Sequence, residues 1–423
     1  MVQAQTPATD GDWKKHHVTL LNTPEADVMI RVGDIDNLNY GFAPGFDPFT
    51  GKSTPVHGYP WTPNTVDPAG TDRIMVPTSY VGAASCTGDG YSKLTKRPHN
   101  APQEITIPLA ALKGKTITSI YLQIFVDDFR SPSLKSYFKV WLNGKVRVPE
   151  FEQVLRGIDQ GGPIGKLITI KLNTDKIPLF KQDKITLFID DSLSCVGDGY
   201  AIDFVKVLVN TKKFNKTVSP QFKIVDAQTQ QPLANVTVSL SNGSVVRTDA
   251  NGMATFPPTP AGLCVVFASA KEYKSIRKDI DLVQGNTQVI SLNMKPAPPV
   301  IYEETKLDLG TVVILKNVQF GQGKYTTDDA GIAELDRVVK LMNENPFMVI
   351  ELAGHTSNEG EASLNKVLSE QRVLACKKYL VSRGIEEDRI VTIGYGGEKP
   401  LLPNTTVNNR IYNRRVEMKV VRM

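Results

Sequence analysis

The sequence predicts a multidomain fold in which two all-β sandwiches precede an α+β domain with the element order βαβαββ. Three observations support this prediction. The chain has 423 residues, more than one hydrophobic core usually serves, so several domains of roughly 100 to 200 residues are expected. Short runs of β-branched and aromatic residues, separated by turn residues, fill the first two thirds. The last third instead spaces its apolar residues at helical intervals between strand-like runs.

One polar stretch and one proline-rich stretch divide the chain. The polar stretch is NTKKFNKTVSP at residues 210–220, and KPAPPV at residues 295–300 is a stiff, proline-rich linker. The predicted segments are a flexible N-terminal tail, a β-sandwich or jelly roll, a smaller β-sandwich, the linker and the α+β domain. Their bounds are residues 1–15, 16–212, 219–294, 295–300 and 301–423.

The first sandwich is predicted from five strand-like runs, ITSIYLQIFVDD, YFKVWLNGKVRV, GKLITIKLN, DKITLFIDD and YAIDFVKVLVN. Helical periodicity is nearly absent between them, which favours an all-β sandwich or jelly roll. Two of the runs end alike, one at Asp127 and Asp128 and the other at Asp190 and Asp191. This match is either a weak internal repeat or the symmetry of two facing sheets.

The second sandwich is predicted from the alternation of apolar and polar residues over residues 222–269. Its tight turns carry Asn242-Gly243 and Asn251-Gly252, residue pairs that accept positive φ. The motifs DAQTQQPLANVTV and TDANGMATF, set between strands, resemble the carboxypeptidase regulatory-like, transthyretin-type β-sandwich. The resemblance implies a spacer or partner-binding module of an exported protein and no catalytic chemistry.

The α+β domain is predicted from a change of period. After the strand-like run TVVILKNVQF, apolar residues recur at helical spacing behind a cap at Thr327 and Asp328. These apolar residues are Ile332, Leu335, Val338 or Val339, and Met342. MVIELAGHT then predicts a strand, residues 361–383 a second helix that ends at Gly384, and IVTIGYG and RRVEMKVV the final strands. We therefore expect two helices on one face of a sheet.

The motifs of this last domain resemble a known family. GHTSNEGEASLNKVLSEQRVLACKKYLVSRGI and IVTIGYGGEKPLLPNTTVNNRIYNRRVEMKV are similar to the OmpA-like peptidoglycan-binding family, which includes peptidoglycan-associated lipoprotein. In that family, an aspartate after GHT and the arginine of the LSxxR helix hold the amino and carboxylate groups of diaminopimelate in the stem peptide. By position, the resemblance implies a peptidoglycan site at Thr356, Ser357, Asn365, Arg372, Asn413 and Arg414. One arginine of the run that includes Arg414 and Arg415 would line the pocket, and the alternative, favoured at least as much, is pairing with Glu417 or with the helix.

Arg372 is also notable for its own surroundings. It lies close to a predicted apolar stripe of the helix, where an unpaired guanidinium would be costly. This stripe comprises Leu364, Leu368, Ala375 and Tyr379. A planar guanidinium binds a carboxylate through two parallel hydrogen bonds, and Asn365, two turns earlier, can donate and accept beside such a ligand. The alternative is that Arg372 extends to the surface and pairs with Glu370 or another acid.

Two positions depart from the family pattern. Ser357 stands where the family has its aspartate, and Gly321 stands where the first strand commonly ends in an acid. A hydroxyl can accept a hydrogen bond from an ammonium group but cannot neutralise it. The loss of a charged partner costs on the order of 1.5 to 3 kcal/mol. We therefore hypothesise weaker or altered peptidoglycan binding, with the carboxylate half of the site intact at Arg372.

A second candidate site is rich in side-chain oxygens. The string VGDIDNLNYG places Asp34, Asp36 and Asn39 at a spacing that calcium loops use. The string DGYAIDFVKV resembles the last strand of calcium-bearing carbohydrate-binding jelly rolls, in which Asp203 would meet an N-terminal loop. This resemblance implies a structural calcium ion, and ordinary turns rich in Asp and Asn are the alternative. Further candidate ligands, or solvated carboxylates at strand ends, are Asp127, Asp128, Asp190 and Asp191.

Composition argues against several classes of function. The formal net charge is +5, but residues 301–423 carry 17 basic and 17 acidic residues, so no nucleic-acid-binding face is expected. No run reaches the roughly 18 apolar residues of a membrane helix, and no transmembrane segment is predicted. The chain lacks an HExxH pair, a GxSxG elbow and a Walker loop, so we do not expect an enzyme.

The cellular compartment is predicted from the resemblance. The start, MVQAQTPATDGDWKKHH, lacks the apolar stretch of a secretory signal, so either a signal was removed or the protein is not exported by that route. Cys86 and Cys195, in the contexts CTGDGY and CVGDGY, either form a disulfide in an oxidising compartment or are buried thiols. The predicted location is the periplasm, at the cell wall and outer membrane of a Gram-negative bacterium.

The predicted function is non-enzymatic tethering. The last domain would bind the diaminopimelate-type stem peptide of peptidoglycan, and the N-terminal domain would face an unknown protein or glycan partner. Two alternatives stay open at this point. One is a calcium-dependent glycan-binding adhesin, and the other is a wall-anchored subunit of a secretion or injection apparatus.

Overall fold

The computed structural model describes residues 12–58, 65–82, 101–160, 162–286, 289–297, 299–318, 320, 328–345 and 348–422. The chain forms two compact units, Met1–Pro296 and Ala297–Met423. Most of the predicted tail, Cys86, Gly321 and the Thr327 cap position lie outside the described residues.

A nine-stranded sheet forms the framework of the first unit. Its strands from the region before residue 213 are β1 (His17–Leu21), β2 (Ala26–Val32), β4 (Ile120–Asp127), β7 (Lys166–Lys171) and β9 (Ala201–Thr211). They pair in the antiparallel order β1-β2-β9-β4-β7, with β9 in the centre. Strand β9 is buried on both faces, since Val205 and Val207 enter the main core while Phe204 and Leu208 enter clusters on the opposite side.

A four-stranded sheet covers the main core of this unit. Its strands are β3 (Ile105–Pro108), β5 (Lys139–Leu142), β6 (Val146–Arg147) and β8 (Lys184–Asp190), in the order β3-β8-β5-β6. Val140 and Leu187 of this sheet share one apolar cluster with Ile124 and Val207 of the larger sheet. The described helices of the unit are short: α1 (Thr78–Gly82), α2 (Ser131–Leu134) and α3 (Pro149–Leu155). The prediction of a mostly β region is confirmed, and each of the five predicted runs contains a strand.

The described residues between 217 and 294 form nine short strands, eight of them within the bounds of the second predicted sandwich. They are β10 (Thr217–Val218), β11 (Gln221–Asp226), β12 (Thr237–Leu240), β13 (Val245–Arg247), β14 (Met253–Thr255), β15 (Thr259–Pro260), β16 (Gly262–Ser269), β17 (Ile276–Leu282) and β18 (Ile290–Met294). Strands β14, β11 and β18 form a separate three-stranded sheet, and β10 pairs with β15. Phe222 of β11 and Val266 of β16 belong to a local core between these layers.

The two β regions of the first unit are joined edge to edge. Strand β16 pairs in parallel with β7 at Leu263 and Ile168, so β16, β12, β13 and β17 extend the nine-stranded sheet. Gly262 permits this approach, because it has φ +139° and a Cβ there would lie 2.4 Å from the Leu167 carbonyl oxygen. The polar stretch at residues 210–220 predicts a boundary between two regions, but strands of both regions belong to one sheet.

The second unit is an α+β domain. After the hairpin β19 (Ile301–Tyr302) and β20 (Thr305–Lys306), its sheet follows the order β21-β24-β22-β23. These strands are β21 (Val312–Ile314), β22 (Val349–His355), β23 (Ile390–Gly396) and β24 (Val416–Arg422). The helices are α4 (Asp329–Glu344), α5 (Ala362–Ser382) and α6 (Val407–Asn413). The predicted order βαβαββ misses α6, which lies between the last two strands.

The helix termini of this unit follow simple capping rules. The Asp328 side chain accepts a hydrogen bond from the Gly331 N–H and begins α4, and Thr406 caps α6 through the Asn409 N–H. Gly384, at φ +89°, follows the end of α5 as predicted. Within the described ranges, every helix is too short or too polar to cross a lipid bilayer.

Candidate functional site

Close packing between α5 and two strands positions the candidate site of the second unit. A Cβ added at Gly354 would lie 2.4 Å from the Ser369 carbonyl oxygen, and one added at Gly394 would lie 2.6 Å from the Glu370 nitrogen. Both positions need glycine, since a larger residue would push the helix off the sheet. The face of α5 that carries Ser369 therefore lies against β22 and β23, close to the loop that begins at Thr356.

The buried face of α5 differs from the predicted apolar stripe. Leu364, which was placed in that stripe, is 65% exposed. The buried residues are instead Ser369, Arg372, Val373, Cys376 and Leu380. The stripe prediction was wrong by one position along the helix, a rotation of about 100°. Hydrophobicity marks this face only in part, because Ser369 and Arg372 are buried on it beside Val373, Cys376 and Leu380.

Arg372 is buried on this face. It is 3% exposed, and its Cζ lies 5.0 Å from the centre of the Phe320 ring. Arg372 therefore does not extend to the surface. Burial lowers the pKa of Arg372, and the positive charge of Arg414 lowers it further. Two neighbouring guanidinium groups, one of them desolvated, form a site that a carboxylate would stabilise.

The loop after β22 holds two of the predicted residues. Thr356 and Ser357 are 3% and 4% exposed, and the Thr356 N–H donates to the Gly396 carbonyl oxygen at 2.9 Å. The Thr356 hydroxyl oxygen is buried and has no hydrogen-bond partner among the described residues. Asn365 Nδ2 donates to the Glu359 carbonyl oxygen at 2.9 Å. Asn365 thus fixes the shape of the loop that carries Ser357.

Glu359 is a site residue that the sequence reasoning missed. The Ser357 hydroxyl donates to Glu359 Oε2 at 3.2 Å. Arg410 Nε lies 3.0 Å from Glu359 Oε1, and Arg414 Nη1 lies 3.5 Å from Oε2. A carboxylate therefore lies beside the position where the family pattern has aspartate. The signal was present in the sequence as an acid two residues after Ser357, but only the folded loop brings the two side chains together.

Asn413 has a structural role in this arrangement. It is fully buried, and its Oδ1 accepts hydrogen bonds from the Leu401 and Leu402 N–H groups at 2.7 and 2.9 Å. Its Nδ2 donates to the Leu402 carbonyl oxygen and to Asn404 Oδ1, both at 2.8 Å. These four bonds use the whole amide. Asn413 holds the segment before α6 in place, and Arg414 follows it directly.

A groove of about 580 Å³ adjoins Arg414. Its walls include Leu401, Ile411 and Tyr412, which are 46%, 41% and 62% exposed. Arg414 thus faces the Glu359 loop and also lines an open, partly apolar surface of the same domain.

Glu417 pairs with two cationic or potentially cationic groups. His355 Nε2 lies 3.5 Å from Glu417 Oε2, and Arg415 Nε donates to Oε1 at 2.7 Å. These contacts, led by that of His355, lower the pKa of Glu417 from its ordinary 4.5 to about 2, although burial opposes them. Arg415 thus makes the pairing with Glu417 that was left open as an alternative, whereas Arg414 pairs with Glu359.

The depressed pKa of Glu417 predicts acid sensitivity of the second unit. The carboxylate stabilises the folded state fully above pH 4.5, and this contribution is lost as the pH falls toward 2. Glu417→Gln should remove that part of the pH dependence, with stability at neutral pH reduced. Helical circular dichroism during thermal unfolding at several pH values measures this. An unchanged slope between pH 4.5 and 2 in the variant would contradict the assignment.

In the first unit, three of the four predicted metal ligands lie together. Oxygen atoms of Asp34, Asp36 and Asp203 converge with one from Asp72, all within 4.8 Å of one another. Asp72 was not predicted, since nothing in its local sequence connects it with the other three. Asn39 is exposed, and its backbone N–H donates to Asp36 Oδ1 at 2.7 Å.

The other strand-end carboxylates make local contacts. His57 Nε2 lies 2.9 Å from Asp127 Oδ2, and Arg130 Nε lies 3.6 Å from Asp128 Oδ1. Asp190 accepts from the Thr78 N–H at 2.8 Å, and Asp191 accepts from the Tyr137 N–H at 2.6 Å. In the described part of the chain, none of these four carboxylates joins a metal-like cluster.

The cysteines fall into two groups. Cys195 is disulfide-bonded, whereas Cys264 and Cys376 are buried free thiols. Cys86, with which a bridge to Cys195 was considered, lies outside the described residues.

Comparison with known proteins agrees with the two resemblances. Residues 319–414 match the OmpA family, and residues 223–295 match the carboxypeptidase regulatory-like domain. Both resemblances are therefore confirmed.

Each of three similar proteins matches about a quarter of the chain. Outer membrane protein A of Bordetella avium is 36% identical over 110 residues, which are 26% of this chain and 57% of that protein. Peptidoglycan-binding protein ArfA of Mycobacterium tuberculosis is 35% identical over 103 residues, 24% of this chain and 32% of that protein. Peptidoglycan-associated lipoprotein from Burkholderia pseudomallei is a solved structure with 23% identity and a TM-score of 0.23, covering 25% of this chain and 88% of that one. This chain spans less than two thirds of the length of either sequence relative.

Proposed function

We infer that this chain attaches to peptidoglycan, because residues 319–414 form an OmpA-family domain and residues 223–295 form a carboxypeptidase regulatory-like domain. It is an envelope protein without catalytic activity, located on the periplasmic side of the outer membrane of a Gram-negative bacterium. One relative of the OmpA-family domain is named a peptidoglycan-binding protein, and another an outer membrane protein. These names and the charges around Arg372 support the proposal.

The observation that carries the proposal is the burial of the Arg372 guanidinium, which is 3% exposed. Burial lowers the pKa of Arg372, and the positive charge of Arg414 lowers it further. A carboxylate ligand would accept charge-assisted hydrogen bonds from the Arg372 guanidinium. The stem peptide of peptidoglycan supplies such a carboxylate at the end of its diaminopimelate side chain.

The amino group of the same side chain needs a negative or accepting partner. Ser357 is neutral, but its hydroxyl contacts Glu359, whose carboxylate lies in the same loop. Glu359 therefore takes over the role that aspartate has in the family pattern. Its side chain is 56% exposed, so solvent screens the interaction and a modest contribution is expected.

Binding to purified cell-wall sacculi tests the proposed function. The full chain should sediment with sacculi and be released by a soluble stem peptide that contains diaminopimelate. Glycan strands stripped of peptide should not release it. Recognition of the peptide would be contradicted if the chain stayed in the supernatant. It would also be contradicted if salt released the bound chain from the sacculi and the soluble stem peptide did not.

Replacing Glu359 by glutamine tests the ammonium partner. Glu359→Gln should weaken stem-peptide binding by about 3- to 10-fold, because a partly solvated charged partner is lost. A peptide whose diaminopimelate amine is acetylated should bind the wild-type chain and Glu359→Gln with the same affinity, because it has no ammonium group for Glu359 to contact. If an added Ser357→Asp substitution restored the affinity of Glu359→Gln, the two positions would share the role of ammonium partner. Calorimetric titration measures the affinities of the wild-type chain, Glu359→Gln and the double variant.

The matched control for this experiment is Glu361→Gln. Glu361 is an exposed acid two positions later, and it accepts a hydrogen bond from the Ser363 hydroxyl at 2.6 Å. Its removal should leave binding unchanged. If Glu359→Gln weakened the free and the acetylated peptide equally, Glu359 would act only by positioning Arg414.

The regions before residue 297 precede the proposed peptidoglycan-binding domain in the chain. The carboxypeptidase regulatory-like domain serves as a spacer that shares a sheet with the first β region. The first β region would bind a protein or glycan partner of unknown identity. An adhesin and a subunit of a secretion or injection apparatus stay predictions, since both depend on that partner.

A further inference from the structure

We propose that the first unit holds a calcium ion between Asp34, Asp36, Asp72 and Asp203. This site is independent of the peptidoglycan site and would stabilise the N-terminal β region. Its four donors come from three segments: the loop after β2, the segment before α1, and the central strand β9. The ion would tie these segments together.

The backbone brings the three segments close to one another. Gly33 has φ +89°, and a Cβ there would lie 2.2 Å from the Asp203 carbonyl oxygen, so the loop after β2 lies directly on β9. The Asp72 N–H donates to the Ile202 carbonyl oxygen at 2.8 Å, next to Asp203. The Asn37 N–H donates to Asp203 Oδ2 at 3.1 Å. Backbone hydrogen bonds to β9 thus hold the segments that carry these carboxylates at the centre of the sheet.

Unsatisfied buried oxygens point to a ligand at this position. Asp72 is fully buried and Asp203 is 1% exposed. Both Asp72 carboxylate oxygens, Asp203 Oδ1 and Asp34 Oδ1 have no hydrogen-bond partner among the described residues. Buried polar atoms normally have partners, and a cation bound between the clustered carboxylates would supply one.

Charge leads to the same conclusion. Four carboxylates at this spacing repel one another strongly unless protons or a cation intervene. A divalent cation removes the repulsion while leaving the carboxylates ionised.

The donor set favours calcium over other divalent ions. All the available ligand atoms are oxygens, which are the donors of hard cations, whereas zinc usually has nitrogen or sulfur ligands. Calcium binds oxygen at about 2.3–2.6 Å, so oxygens on opposite sides of the ion are roughly 5 Å apart. The carboxylate oxygens lie within 4.8 Å of one another, so one ion of this size can contact all four residues. Magnesium dehydrates reluctantly and is seldom bound by a cage of protein oxygens alone.

Unfolding of the full chain with and without calcium tests the proposal. All three tryptophans, at positions 13, 61 and 141, precede residue 297, so tryptophan fluorescence reports on the first unit. After treatment with a chelator, calcium should raise the unfolding temperature of this unit by roughly 5 °C or more, and magnesium by less. No change with calcium, or an equal rise with magnesium, would overturn the proposal.

Two variants and one matched control identify the ligands. Asp72→Asn and Asp203→Asn should each reduce the calcium-dependent rise by more than half. Asp27→Asn removes an exposed acid of β2 that pairs with Lys212 at 3.0 Å, and the full rise should persist. Equal losses in all three variants would contradict the assignment. If either ligand variant fails to fold, calorimetric titration of the wild-type chain decides: uptake of one calcium ion supports the site, and no uptake refutes it.

Discussion

Replacing Arg372 by alanine should weaken the binding of a diaminopimelate stem peptide by about 10- to 100-fold. The substitution removes the buried cation that we propose pairs with the peptide carboxylate, a loss of about 1.5 to 3 kcal/mol. Arg372→Lys should recover only part of this affinity, because an ammonium group cannot make the two parallel hydrogen bonds of a guanidinium. Calorimetric titration of the full chain measures each affinity.

The control for Arg372→Ala is Lys378→Ala. Lys378 is an exposed cation of the same helix, and its loss changes the charge of α5 equally. Its removal should leave peptide affinity within about twofold, because exposed charges contribute little. Circular dichroism must show that Arg372→Ala is folded. Equal effects of the two substitutions would mean that Arg372 contributes only long-range charge.

The Lys206→Met substitution should destabilise the first unit by about 3–5 kcal/mol, since it would leave Glu25 buried without its charged partner. Lys206 Nζ lies 2.8 Å from Glu25 Oε2, and the two side chains are 0% and 5% exposed. The Asn215 N–H also donates to Glu25 Oε1 at 3.0 Å. Denaturant unfolding monitored by tryptophan fluorescence measures the change in the free energy of unfolding.

Two further variants separate burial from charge. Lys212→Met removes an exposed salt bridge with Asp27, in which the side chains are 46% and 40% exposed, and should cost less than about 1 kcal/mol. Adding Glu25→Gln to Lys206→Met should recover most of the lost stability, because the amide keeps an acceptor for Asn215 without a charge. A double variant no more stable than Lys206→Met would show that packing, and not the uncompensated charge, causes the loss.

Local patterns predicted the elements that depend on local forces. YAIDFVKVLVN is apolar almost throughout, and it forms the central strand β9. The helix α6 was missed because VNNRIYN is short and rich in asparagine, a poor helix former within a helix. It begins at the Thr406 cap, which is a single residue and a weak signal by itself.

Contacts between distant segments were not predictable from the sequence. The junction of β7 and β16 depends on the backbone of Gly262 meeting Leu167, almost a hundred positions earlier. Asp72 joins Asp203 only because the Asp72 N–H bonds to β9. Motif spacing predicted Arg372 as a site residue. Glu359 could be recognised only in the folded structure, where its carboxylate contacts the Ser357 hydroxyl.

The most direct test compares two stem peptides that differ at one side chain. Diaminopimelate carries an amino group and a carboxylate at the end of its side chain, and lysine carries only the amino group. The full chain should bind the diaminopimelate peptide at least about tenfold more tightly than the lysine peptide, and Arg372→Ala should abolish this preference. Equal affinity of the wild-type chain for the two peptides would contradict recognition of the carboxylate by Arg372.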